Sequence, residues 1–291
     1  MRRLVLVARV AFAEGGNDIH RGADRMRGVS CWLAIVLLGL PCVARAGDGR
    51  LEINQSCLAT GCVPGDAPGI PVETQANQSY VLTSNLALGV VVDPGFVLAA
   101  GATLDLNGFT ISGQVTCSGT PAVCSDAGVN SGGVSAGAGA VVRNGTIRGM
   151  RGFGIRGDPF VRVEHVVVEQ NAAGGISTNG DATGFVVQDS EIRQNGGPGI
   201  HFAYVSGALG ARVLRNTIHG NAFTGVQGAL SLLTDNAITA NAGVGAVLGY
   251  AGSTAGYGGN QFWNNNGGNA NAQVSGGVAI GPNVCGTGIC P

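Results

Sequence analysis

Residues 142–155 read Val-Arg-Asn-Gly-Thr-Ile-Arg-Gly-Met-Arg-Gly-Phe-Gly-Ile, and the same spacing returns as Val-Glu-His-Val-Val-Val-Glu-Gln-Asn-Ala-Ala-Gly-Gly-Ile over 163–176 and Val-Gln-Asp-Ser-Glu-Ile-Arg-Gln-Asn-Gly-Gly-Pro-Gly-Ile over 187–200. Each copy has a β-branched anchor at its centre: Ile147, Val168 and Ile192, continued by Ile218, Ile238 and Phe262 at separations of 21, 24, 26, 20 and 24. Five residues before each anchor stand Val142, Val163, Val187, Val213, Leu233 and Tyr257. Eight after come Ile155, Ile176, Ile200, Val226, Ala246 and Ala270. Three apolar positions per irregular repeat, each set in polar alternation, predict three short strands per turn of a strand-only solenoid. One turn cannot bury its apolar face alone, but stacking at about 4.8 Å makes each column continuous. Each buried Ile or Val then contributes roughly 1.5–3 kcal/mol.

Outside the repeat, composition agrees. The chain holds 52 glycines, 5% aromatic and 11% charged residues, as tight turns demand and helices do not. All sixteen basic residues are arginine and the net charge is -1, so no broad positive surface exists and no nucleic-acid partner is expected. From Met26 an apolar run, Val29 to Val43, ends before Ala44-Arg45-Ala46. This reads as a signal peptide over 26–46, cleaved near Ala46, because the run falls short of the roughly 20 residues that span a bilayer. Residues 1–25 then read as an upstream extension from a start placed too early. The mature domain is expected over 47–291, with caps at about 47–80 and 270–291, secreted or periplasmic in a bacterium and without a stable membrane span.

Six cysteines remain after the signal, in three close couples: Cys57 with Cys62, Cys117 with Cys124, and Cys285 with Cys290. Local pairing in an oxidising compartment is expected, at about 2 kcal/mol each. Neither Cys-x2-Cys spacing nor clustered His is present, so no metal and no cofactor is expected. Asn171, Asn195, Asn221, Asn241 and Asn265 lie three residues after successive anchors. As structural residues they would adopt the left-handed turn and bond their amides from coil to coil.

The segment Leu104-Asp105-Leu106-Asn107-Gly108-Phe109-Thr110-Ile111-Ser112-Gly113, followed by Val141-Val142-Arg143-Asn144-Gly145-Thr146-Ile147-Arg148-Gly149, resembles bacterial secreted proteins of the right-handed parallel β-helix, pectin-lyase-like type. The closing Asn283-Val284-Cys285 with Cys290-Pro291 looks like their C-terminal end. The resemblance covers about 50–291 and implies the fold. It does not single out an activity, since polysaccharide lyases, hydrolases, epimerases, adhesins and copper-delivery proteins share it. The polygalacturonase signature is missing: there is no Asp-Asp, His219-Gly220 stands alone, and lysine is absent. The calcium-binding Asp cluster of pectate lyases has no counterpart that can be placed.

Residues beside each anchor should point outward, because strand side chains alternate. After the anchors come Arg148, Glu169, Arg193, His219, Thr239 and Trp263; before them Thr146, Val167, Glu191, Thr217, Ala237 and Gln261. Two classes of function fit. In the first, the sheet binds a polysaccharide and processes it as a lyase or glycoside hydrolase: Trp263 stacks on sugar, Arg148 and Arg193 hold carboxylates, and Glu169 and Glu191, with His219 beside them, supply acid and base. The two Glu carboxyls would lie ~8 Å apart, within the roughly 6.5–9.5 Å of inverting glycosidases. In the second, the alternating charges only hold a solvated sheet in register. The protein is then a non-catalytic envelope or adhesin-like module. His201 and Tyr204 flank another turn, and Tyr250 and Tyr257 would extend an aromatic strip. Oligomeric state is not readable from the sequence.

Overall fold

A computed structural model describes residues 49–89, 94–125, 132–203, 210–249, 254–286 and 288–290. The segments read as an N-terminal extension and signal peptide lie outside these residues, as do Tyr204 and Tyr250. The chain winds as an all-β parallel helix in which each coil between Ser79 and Ser275 contributes a strand to each of three faces. Face 1 carries strands such as Val186–Gln188, Arg212–Leu214 and Leu232–Thr234, and face 2 carries Glu191–Arg193, Thr217–His219 and Ala237–Thr239. Face 3 stacks nine strands, from Val72–Glu73 to Val274–Ser275. Faces 1 and 2 hydrogen-bond as one 18-stranded sheet, because Val141–Arg148 and Arg162–Glu169 run through both without a break.

The anchors form one file in direct register, Ile147 on Val168, then Ile192, Ile218, Ile238 and Phe262, all with no exposed surface. The file begins earlier than the repeat suggests, with Leu86 and Ile111, and ends on Cys285. The Val142 file runs to Tyr257 on face 1. On face 3, Ile155 is followed by Ile176, Ile200, Val226 and Ala246, but the next partner is Val274. Ala270, expected there, is exposed. A turn-rich segment after Asn265 lengthens the last coil, so counting from Phe262 lands in the loop.

Two bends per coil flank face 2, and both follow one rule. The residue before a ladder side chain takes the left-handed conformation. At the first bend these are Asn144, His165, Asp189, Arg215 and Asp235, with φ between 51° and 61°. At the second they are Gln170, Gln194, Ala240 and Asn264, with Gly149 and Gly220. This corrects the expectation for the asparagines: the neighbour turns, and the Asn itself is buried. A non-Gly residue in this region costs about 1–2 kcal/mol. The ladders offset that cost. Asn221 uses its whole amide: Oδ1 accepts from the N–H and Nδ2 of Asn195 at 3.1 and 2.9 Å, and Nδ2 donates to the Ile192 carbonyl at 3.2 Å and to Asn241 Oδ1 at 2.9 Å. The series starts at the Met150 N–H and ends on Gln273, whose Oε1 accepts from Asn265. A second ladder, Ser190, Asn216, Asn236, Asn260 and Asn283, lines the first bend in the same way.

All three local disulfides are present, at Cα separations of 4.6, 3.9 and 4.8 Å. At the N-terminal end the Cys57–Cys62 bridge ties the short 3-10 helix Gln55–Ala59, and Leu58 packs on the core.

Candidate functional site

Face 2 faces outward with one charged column and one bordering wall. In the column, Glu169 is only 8% exposed although it points away from the core, because two arginines cover it. Arg193 Nη2 lies 2.7 Å from Glu169 Oε2 and Arg148 Nε 3.6 Å from Oε1. Arg193 also reaches Glu191 at 3.0 Å, and His219 Nε2 lies 3.2 Å from the same Glu191 oxygen. The structure therefore brings Arg148, Glu169, Arg193 and Glu191 into one ion-paired chain, with the His219 ring at its end within hydrogen-bond distance of Glu191. The space between the two glutamates, which an attacking water would need, holds the Arg193 guanidinium. At the first bend a second charged file runs beside it. Arg215 donates two 2.7 Å bonds to Asp189 and holds that carboxyl below its usual range, with the charge of His165 adding to the effect. His165, Asp189, Glu191, Arg215 and Thr217 line a shallow recess of about 620 Å³.

Trp263 extends the column beyond Thr239 and is 42% exposed. Among the described residues it joins no aromatic strip, since Tyr257 is buried in the face 1 file. On face 3 the outward His201 stacks on Phe153 at 6.4 Å, and burial pushes its imidazole below the ordinary value.

The wall is a feature the repeat does not announce. After the Ile111 coil the chain departs in a hairpin, Cys117–Ser118 against Val123–Cys124, closed by the Cys117–Cys124 bridge. It lies lengthwise over the second bend. A Cβ placed on Gly196 would fall 2.6 Å from Cys124 Sγ and 2.4 Å from the Ala172 carbonyl oxygen, and one on Gly220 would meet the Thr120 methyl at 3.7 Å. The hairpin base encloses a recess of about 400 Å³ with Thr110, Ser112, Gln114, Thr116 and Arg148. Its tip, Thr120 and Pro121, encloses another of about 320 Å³ with Ala240, Asn264 and Gly267. Opening the bridge with Cys117→Ser and Cys124→Ser, which places no atom against the Ala172 backbone as a side chain on Gly196 would, is expected to loosen the hairpin while the coils persist. Limited proteolysis should then cut between Gly113 and Ser125 at a rate well above wild type, with an unchanged far-ultraviolet spectrum.

Among the described residues no group of three or more His, Cys, Asp or Glu is placed to hold a metal, and no helix is long and apolar enough to cross a membrane. The right handed beta helix region, as a family, matches residues 69–230. The chain belongs to that family. No curated protein matches the sequence of this β-helix. Among solved structures, the Agl-KA catalytic domain is similar to it at 13% identity and a TM-score of 0.38, over 64% of this chain and 41% of that one. The periplasmic alginate epimerase AlgG is similar at 11% identity and a TM-score of 0.36, over 74% of this chain and 69% of that one. The β-helix thus spans less than half the length of the first of these, and neither likeness bears on its chemistry.

Proposed function

We propose that this protein is a secreted or periplasmic β-helix module that binds polysaccharide along face 2 without cleaving it. The observation that carries the reading is a continuous outward row of polar side chains, Ser112, Arg148, Glu169, Arg193, His219 and Thr239, which leads to Trp263 and is bordered lengthwise by the disulfide hairpin. Strand spacing of about 4.8 Å repeats hydrogen-bonding groups along that row, which suits an extended chain of sugars. The paired state of the two glutamates supports binding over hydrolysis: Glu169 is fixed between two arginines, and Glu191 between Arg193 and His219. In this reading residues 26–46 are a signal peptide and 47–291 the mature domain. The three disulfides suit the oxidising compartment that such export reaches.

A glycan array combined with a degradation screen tests it. Retention of at least one polysaccharide without release of shorter products is expected, and Glu191→Gln should leave that affinity within roughly twofold, since the carboxylate only completes a part-exposed ion pair. Product release that Glu191→Gln abolishes in a folded protein would overturn the non-catalytic reading. Absence of any retained glycan would favour a rigid spacer, for which the self-neutralised charge column is the supporting observation.

A further inference from the structure

The charged half of face 2 stops abruptly. No charged residue and no histidine follows Asp235 in the sequence, so the outward positions beyond His219, which include Ala237, Thr239, Gln261, Trp263 and Val284, are all uncharged. Trp263 is the exposed aromatic among these positions, and the exposed Gln261, two residues before it, and Asn264, directly after it, carry amides. Asn264 takes the left-handed conformation and opens onto the recess beneath the hairpin tip, together with Thr120, Pro121, Ala240 and Gly267. An indole face beside a polar pocket of hydroxyl, amide and small side chains matches the two surfaces of a pyranose, a C–H face and a rim of hydroxyls. It does not match a carboxylate. An acidic sugar would shed water from its charge here with no cation to replace it. The nearest outward arginine of the column, Arg193, lies three coils away, roughly 14 Å at strand spacing, and is already held by Glu169 and Glu191.

We infer that the polysaccharide bound on face 2 is a neutral one and that its principal contact is Trp263, with Gln261, Asn264 and the hairpin tip around it. This rests on the polysaccharide-binding reading above and narrows it to a substrate class and a place. The arginines of the N-terminal half then serve the sheet, and binding is insensitive to salt.

The indole reports directly on the inference. The sequence has two tryptophans, Trp32 and Trp263, so emission from the protein with a Trp32→Phe background isolates Trp263. Titration with cello-, xylo- and manno-hexaose on one side, and with galacturonate and alginate hexamers on the other, separates the classes. A saturable blue shift with at least one neutral oligosaccharide, unchanged between low and high salt, is expected. Calorimetry should show the affinity falling roughly tenfold or more in Trp263→Ala, with partial recovery in Trp263→Phe and no effect of Arg212→Ala on face 1. Salt-sensitive binding of an acidic hexamer that Arg148→Ala weakens and Trp263→Ala spares would overturn this inference but keep the broader reading. Neutral binding indifferent to Trp263→Ala would overturn the placement. No binding of either class would sink both.

Discussion

Replacing Asn221 with alanine is expected to lower the unfolding free energy by about 3–5 kcal/mol, since it strips partners from several buried groups at once. The N–H and Nδ2 of Asn195 lose their acceptor, and the Ile192 carbonyl and Asn241 Oδ1 lose donors. Asn221 itself has no exposed surface, so bulk solvent does not reach the groups that lose their partners. Asn221→Asp is the informative comparison. It keeps the acceptor but brings a carboxylate against two buried oxygens, so it should cost at least as much as alanine near neutral pH and less in acid, where the protonated group donates one bond. Urea unfolding of both variants, followed by circular dichroism, reads the difference. If Asn221→Ala unfolds at the wild-type midpoint, the ladder is not what holds the bends.

Gly199→Val is expected to do more damage, from a different cause. Gly154, Gly175, Gly199, Gly225 and Gly245 stand seven residues after successive anchors, and each lets the next coil close over it. A Cβ on Gly199 would lie 2.6 Å from the Gly225 carbonyl oxygen, 2.8 Å from Ile218 Cγ2 and 3.0 Å from Asn221 Nδ2. None of these can retreat, because each belongs to the stacked interior. Overpacking of this kind typically costs about 1–3 kcal/mol, and here the extra isopropyl group also strikes backbone and ladder, so loss of soluble folded protein is the expected outcome. Expression yield and thermal unfolding against Gly180→Val, whose site is open, provide the control.

The three apolar files were legible because burial imposes a side-chain type at each return of the chain, and irregular loop lengths do not erase that. The charge column was legible as alternating signs at ladder positions. Other features left weaker traces. Asn216, Asn236 and Asn260 recur at anchor spacing, yet Ser190 and Val166 occupy the same place earlier, and the second ladder is masked by that change of residue. Periodicity also fixes which residue returns, not its backbone angle. Nothing in the identity of Arg215, Gln194 or Ala240 announces a positive φ, so the turn was placed on the adjoining asparagine. The hairpin is illegible for a plainer reason: it docks across coils, and Gly196 looks in sequence like any glycine of a turn. Of the site, the members and the pairing of opposite signs along the ladder were readable, but the sharing of Arg193 between Glu169 and Glu191 was not, since that depends on how each guanidinium is oriented.

The hairpin has a consequence for how the molecule comes apart. A solenoid whose coils touch only their neighbours frays from its ends one rung at a time. Here a covalently closed arm anchored at the Ile111 rung rests against Gly196 and Gly220, several rungs further on, and so links non-adjacent rungs mechanically. Rungs beneath the arm open together or not at all, and since its tip shares a recess with Ala240 and Asn264 the rung that bears Trp263 is the last it braces, so only the strands beyond that rung are left to breathe independently.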